Sequence, residues 1–112
     1  MSAWKKLLAA PAGASTGTIA VGHNNSPYVS AWSWNDDDGF GGSFVNLSTL
    51  PTSTVYGISF TSDGSAIACS NASVSPYITA YPWSGDGFGT KFANPSTLPT
   101  GSSQGCAFSP ND

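Results

Sequence analysis

The chain has 112 residues, of which 8% are charged and 12% aromatic, and its formal net charge is −3. This length accommodates one domain at most, and low charge with ample aromatic residues argues against intrinsic disorder. Three cations in total leave no basic patch for nucleic acid, and no apolar run approaches the ~20 residues of a membrane span, so neither partner is expected.

The N-terminal segment, residues 1–16, has two interpretations. Its stretch Trp4–Pro11 aligns with Phe44–Pro51, which predicts an outer strand. Alternatively it forms a degenerate inner strand that competes with the last strand of the chain, and a monomer or a larger parent protein then becomes more plausible. The apolar part, Leu7–Ala10, is shorter than the ~7–15 residues of a secretory signal core, so no cleavable signal is predicted.

The rest of the chain is a tandem repeat, which divides it at residue 64 into units 17–63 and 64–112. SPYVSAWSW at positions 26–34 returns as SPYITAYPW 49 positions later, and the offset falls to 48 after the next turn. Gly-, Asp- and Pro-containing turns separate the short extended runs. Strands are predicted at Thr18–Val21, Val55–Phe60, Ala66–Ser70, Tyr77–Trp83, Thr90–Asn94 and Gln104–Phe108.

A period of about 48 residues suits the four-stranded blade of a β-propeller. Strands that are apolar on both faces are typical of sheets covered on both sides, and a radial stack of blades covers them in this way. Gly57 and Gly105 fall in mid-strand, where glycine normally weakens a sheet. We expect crowding near a central axis to be the reason for them.

Two segments carry a family resemblance. GCAFSPND at 105–112 and GISFTSDG at 57–64 resemble the innermost strand and turn, V-A-F-S-P-D-G, of WD-repeat-like β-propellers. The following SAIACS, PYITAYPW and KFANPSTLPT resemble the rest of a blade in the recently amplified, highly repetitive subgroup of bacterial and phage-associated proteins. The resemblance implies the blade fold and no particular ligand. Because the Trp-Asp dipeptide of the family is absent, the resemblance does not imply the buried Asp-His-Ser network of many WD repeats.

The strand order predicts an oligomer. With strands labelled a to d outward from the axis, the chain reads b, c, d, a, b, c, d, a, so the first blade lacks an inner strand and the last inner strand lacks a blade. Two blades cannot close a propeller. We therefore predict an all-β fold: a β-propeller formed by ring oligomerisation of a two-blade chain with four-stranded antiparallel blades. A tetramer is favoured over a trimer or pentamer, and the predicted interface residues are Gln104, Cys106, Phe108, Ile19 and Val21.

The two cysteines support no disulfide framework. Cys69 corresponds to Val21 on strand b, and Cys106 corresponds to Ile58 on strand a. We expect Cys106 to neighbour Val21 of the next copy and to lie far from Cys69. Both are interpreted as buried free thiols that act as small hydrophobic residues.

The sequence offers little for catalysis. All six acidic residues are Asp and fall in turns at one end of the predicted blades, while His23 is the single histidine and is replaced by Asn71 in the other repeat. Asp36 and Asp38 are weak candidates for a cation site, and solvated Asp-Gly turn chemistry is the simpler interpretation. We predict no enzyme, no resident metal and no cofactor.

The opposite end of the blades is rich in hydroxyl and amide groups from the d–a and b–c turns. Tyr28, Trp32 and Tyr77 lie near these turns and form a candidate ligand face. Aromatic faces with polar groups beside them suit a small carbohydrate. Two functions therefore stay open: a self-assembling propeller fragment, and a lectin-like or protein-binding module.

Overall fold

The computed structural model describes residues 16–109, and its regular elements are all β-strands. It has no helix in this range that is long and apolar enough to cross a membrane. The predicted all-β character is confirmed. The strands are β1 (Thr16–Gly22), β2 (Val29–Asn35), β3 (Gly39–Ser43), β4 (Val55–Phe60), β5 (Ala66–Asn71), β6 (Ile78–Ser84) and β7 (Gly87–Phe88).

The strands form two antiparallel sheets in which each strand pairs with the next along the chain. The first sheet has the order β1-β2-β3, and the second has the order β4-β5-β6-β7. Short turns with hydrogen-bonding side chains join the strands: in the β2–β3 hairpin, Asn35 Oδ1 accepts hydrogen bonds from the amides of Asp37 (2.7 Å) and Asp38 (3.3 Å). The first sheet contains three strands of unit 17–63, and the fourth strand of that unit, β4, joins the three strands of unit 64–112 in the second sheet.

The outer strand of the second sheet lies earlier than predicted. It is confined to Gly87–Phe88, and Thr90–Asn94 is not a strand. The amides of Gly89 and Phe92 still donate to the carbonyls of Pro82 (2.7 Å) and Ala80 (2.9 Å). Thr90 and Lys91 therefore lie opposite the single residue Tyr81, which is a bulge, and the ladder is interrupted where the sequence predicted it to continue.

The predicted C-terminal strand at Gln104–Phe108 is also not a strand in the structure. A strand requires a ladder partner, and this segment has none among residues 16–109. The expectations for residues 1–15, including the outer strand at Trp4–Pro11, lie outside the described residues, as do residues 110–112.

One hydrophobic core joins the two sheets. It contains buried residues of both sheets and of the segment between them: Val29, Leu47, Val55, Ile67, Cys69 and Tyr81. Tyr81 is completely buried, and its hydroxyl donates a hydrogen bond to the carbonyl oxygen of Thr49 at 2.7 Å. This bond ties the second sheet to the segment that leaves the first.

Candidate assembly interface

The first sheet has an open edge at β1. This strand pairs with β2 on one side, and no described strand pairs with its other side. The equivalent strand of the second sheet is β5, whose corresponding side is covered by β4. Val21 on β1 is 42% exposed, whereas its equivalent on β5, Cys69, is fully buried. Among residues 16–109, β1 thus presents an edge whose outer side has no partner strand.

The C-terminal segment, residues 102–109, starts with a backbone hydrogen bond to the second sheet. β4 starts with the equivalent hydrogen bond to the residue that follows β1 in the first sheet. The amide of Ser103 donates to the carbonyl of Asn71 at 3.0 Å. One repeat earlier, the amide of Val55 donates to the carbonyl of His23 at 3.3 Å. Because Ser103 and His23 lie 48 residues from Val55 and Asn71 respectively, the two contacts are repeats of one another.

The C-terminal segment approaches β4 closely at Gly57. A Cβ atom placed on Gly57 would lie 2.7 Å from Cα of Gly105 and 3.3 Å from the amide nitrogen of Cys106, so only glycine fits. Farther along, the amide of Phe108 donates to Ser59 Oγ at 3.3 Å. The crowding at Gly57 thus comes from the C-terminal segment and from Ser70 Oγ of β5, which would lie 2.8 Å from the added Cβ. The crowding expected at Gly105 is absent from the single chain, since a Cβ placed there has nothing within 4 Å.

The repeat relates the C-terminal segment to β4 and relates β1 to β5. Ile58 of β4 pairs with Cys69 of β5, and two residues later Phe60 pairs with Ile67. The positions 48 residues away from these are Cys106 and Phe108 on the segment and Val21 and Ile19 on β1. The five predicted interface residues thus lie in two groups: Gln104, Cys106 and Phe108 on the segment, and Ile19 and Val21 on β1.

The expectation that Cys106 lies far from Cys69 is wrong. Cys106 Sγ is 3.6 Å from the carbonyl oxygen of Ala68, the residue before Cys69. The reason is that the C-terminal segment packs across the second sheet, a contact that ladder pairing alone does not reveal. Burial, with a smaller contribution from Cys106, raises the pKa of Cys69 to about 12, and burial also raises the pKa of Cys106. Both thiols are free and held protonated.

The candidate ligand face is only partly assembled. Tyr28 and Tyr77 take equivalent positions in the two b–c turns, with φ of 73° and 70°, a conformation that bulky residues rarely adopt. Their carbonyls accept from the amides of His23 and Asn71, both at 2.9 Å. Trp32 instead packs its ring on Phe40, 6.0 Å away between centroids, in the hairpin at the other end of β2. The two tyrosines therefore occupy equivalent positions in the two sheets, whereas Trp32 packs in the β2–β3 hairpin and does not join them.

Asn71 organises the turns at this end. It is fully buried, and its Nδ2 lies 3.0 Å from Thr52 Oγ1 and 2.9 Å from the carbonyl oxygen of Val74. Its Oδ1 is buried without a hydrogen-bond partner. At the equivalent position of the first sheet, the ring Nε2 of His23 lies 2.9 Å from Ser30 Oγ. The polar side chain at this position is thus structural in both sheets.

The aspartates serve the turns at the opposite end. Asp36 Oδ1 accepts a hydrogen bond of 2.8 Å from the indole of Trp34, and Asp38 is exposed. Hydrogen bonds, chiefly from the Ser65 hydroxyl, lower the pKa of Asp63. Within residues 16–109, no group of three or more His, Cys, Asp or Glu side chains is arranged to hold a metal ion.

An open cleft of about 540 Å³ lies between the two sheets at the aspartate end. Trp34, Phe40, Phe44 and Trp83 supply its aromatic lining, and Asp38 is the one carboxylate that lines it. A single carboxylate without histidine or cysteine gives no acid–base pair or activated nucleophile. The chemistry that this cleft offers is aromatic packing.

Sequence reasoning did not single out these aromatic residues as functional. The repeat, which relates Trp34 to Trp83 and Phe44 to Phe92, is the feature of the sequence that could have identified them. No protein-family model, curated protein or solved structure matches the chain.

Proposed function

We propose that the chain is a self-assembling β-propeller fragment of the WD-repeat-like kind, whose function is to form a closed homo-oligomeric ring. Each sheet is one blade, and the C-terminal segment of one copy is the inner strand of the first blade of the next. The ring has about six, eight or ten blades, with four copies favoured over three or five. The proposal assigns it no catalytic activity.

The observation that carries the proposal is the complementarity of the two unmatched parts. Among residues 16–109, β1 of the first sheet has a partner strand on one side only, and the segment at the repeat position of β4 has no ladder partner. If the register of β4 with β5 holds one repeat later, Cys106 would lie opposite Val21 of the next copy and Phe108 opposite Ile19. Contacts of this head-to-tail kind generate a ring when the rotation between copies closes.

Apolar surface on the second sheet supports the same arrangement. A shallow cavity of about 270 Å³ on its face is lined mainly by the apolar residues Ala68, Ile78, Ala80, Ala93 and Phe108. In a ring this face would be covered by the first blade of the next copy. Burial of such a face offsets the ordering cost of association.

Shortening the chain tests strand exchange. Deletion of Gln104–Asp112 should abolish the ring and leave a species of one chain mass, as measured by native mass spectrometry. Deletion of Pro110–Asp112 alone is the control and should leave the ring intact. A chain lacking Gln104–Asp112 that still assembles to the wild-type mass would contradict strand exchange.

A substitution on β1, the strand that would receive the C-terminal segment, tests the same junction without shortening the chain. It keeps the proposal testable if the shortened chain fails to fold. Val21 is 42% exposed in the single chain, so Val21→Lys is compatible with the monomer fold. A charge on an edge strand opposes its pairing with another strand. The variant should therefore keep the wild-type circular dichroism spectrum and lose the ring.

A lectin-like or protein-binding role is the second candidate. The equivalent placement of Tyr28 and Tyr77 beside hydroxyl-bearing turns favours it, because each repeat would then offer one identical site. A glycan panel tests it. Saturable binding at one site per repeat, lost in the double variant Tyr28→Ala/Tyr77→Ala, would support this role, and no binding would contradict a carbohydrate ligand.

A further inference from the structure

The second sheet contains an aromatic socket around Trp83. The ring centroid of Trp83 lies 4.9 Å from Phe44 and 5.5 Å from Phe60, with edge-to-face interplanar angles of 78° and 77°. Phe88 completes the socket at 4.8 Å. Phe44 comes from the segment that follows the first sheet, so the socket also joins the two sheets. Edge-to-face contacts at such distances stabilise beyond the area that they bury.

The equivalent of Trp83 in the first sheet is Trp34, and its socket is incomplete. Trp34 has Phe40, the equivalent of Phe88, at 5.3 Å with an interplanar angle of 90°. The equivalents of Phe44 and Phe60 are Phe92 and Phe108, which belong to the other end of the chain.

Those two phenylalanines are open to solvent. Phe92 is 49% exposed and Phe108 is 38% exposed, whereas Phe44 and Phe60 are half-buried around Trp83. The chain thus carries one complete socket, one tryptophan with a single aromatic partner, and two exposed phenylalanines at the positions that would complete the second socket. Exposed aromatic side chains that can pack into a partner's surface are typical of interface anchors.

We infer that Trp34 is the anchor of the junction between copies, seated between Phe92 and Phe108 of the preceding copy. The inference rests on the proposed ring, and it adds the residues that hold the ring together beyond the paired strands. The occupant of the Trp34 site is a second copy of this chain, because that copy presents the phenylalanines at the required repeat positions. The junction then reproduces the Phe44–Trp83–Phe60 packing between molecules.

A double-mutant cycle on the assembled protein tests the inference. Trp34→Leu, Phe92→Ala and the double variant are compared with wild type by native mass spectrometry and sedimentation over a dilution series. Each single variant should raise the concentration at which the ring dissociates by about tenfold or more. The double variant should dissociate at about the same concentration as Trp34→Leu alone, because the two side chains contribute to one shared contact.

Phe44→Ala is the matched control, since Phe44 occupies the equivalent position within the chain. It should lower the midpoint of urea unfolding without changing the concentration at which the ring dissociates. Tryptophan emission gives an independent readout. The emission should shift to the blue on assembly of wild type, and Trp34→Leu should lose most of that shift.

The outcomes separate this inference from the proposed function. A wild-type ring with unchanged dissociation in Trp34→Leu and Phe92→Ala, or with fully additive effects, would overturn the anchor and leave the ring standing. A wild-type chain that stays monomeric at all concentrations would overturn both. Phe92 is half exposed, so Phe92→Ala should keep the wild-type fold in either case.

Discussion

The amide of Ser103 donates a hydrogen bond of 3.0 Å to the carbonyl of Asn71, as the amide of Val55 does to His23 one repeat earlier. Val55 begins β4, the inner strand of the second sheet. Ser103 therefore marks the start of a segment that repeats β4 without a sheet of its own. The proposed ring gives this segment its partner strand in the next copy.

Replacing Gly57 should disturb this segment. In Gly57→Ala the new methyl group would meet Cα of Gly105 at 2.7 Å, and backbone cannot move aside as easily as a flexible side chain. Overpacking of this kind costs about 1–3 kcal/mol. Urea unfolding should show that loss, and dilution should dissociate the ring at a higher concentration. Gly101→Ala, where nothing lies within 4 Å of the new methyl group, should change neither quantity.

The buried thiol and phenol should make the fold sensitive to alkali. Burial raises the pKa of Cys69 from 9.0 to about 12 and that of Tyr81 from 10.0 to about 12. Above the unfolded-state pKa values the unfolded chain loses protons that the folded chain keeps, so the free energy of unfolding falls as the pH rises from about 9 to 12. Urea midpoints measured from pH 7 to 11 check this. Cys69→Ala should have a shallower slope, and an unchanged slope would contradict the assignment.

Removal of the Tyr81 hydroxyl isolates one buried hydrogen bond. Tyr81→Phe keeps the ring and loses the bond to the carbonyl of Thr49, which leaves that carbonyl without this donor. The free energy of unfolding at pH 7 should fall by about 1 kcal/mol. Tyr56 is 56% exposed, and Tyr56→Phe should leave stability unchanged. Equal effects of the two substitutions would contradict the structural role of the Thr49 contact.

Asn71→Ala should be more costly. The amide nitrogen of Asn71 bonds to Thr52 Oγ1 and to the carbonyl of Val74 from a fully buried position, and alanine would remove both hydrogen bonds and leave a buried cavity. We expect a loss of about 2 kcal/mol in the free energy of unfolding. Asn46 is exposed, and Asn46→Ala should change it by less than about 0.5 kcal/mol.

The repeat made much of the fold predictable. The predicted strand Val55–Phe60 agrees with β4, and the predicted strand at Ala66–Ser70 falls short of β5 by one residue. Side-chain alternation and turn residues suffice for such strands because their partners are neighbours in the sequence. The predicted outer strand at Thr90–Asn94 is wrong because a pattern of apolar residues does not reveal the bulge at which strand pairing is interrupted.

Contacts across sheet faces were less predictable. The strand order predicted no following strand with which Cys106 could pair, and it gave no information on the sheet against which Cys106 packs. The aromatic contacts of Trp34 could not be predicted from the sequence either, because they depend on how close the sheets lie to one another. Only the complete socket at Trp83 reveals what the one at Trp34 lacks.

The native mass of the full chain over a dilution series tests the ring most directly. Native mass spectrometry or light scattering on a sizing column should give a single closed species at an integral multiple of the 11.4 kDa chain, four being favoured and three or five consistent with the same mechanism. A clean monomer at every concentration would contradict strand exchange between copies. An open-ended series of masses would contradict closure of the ring.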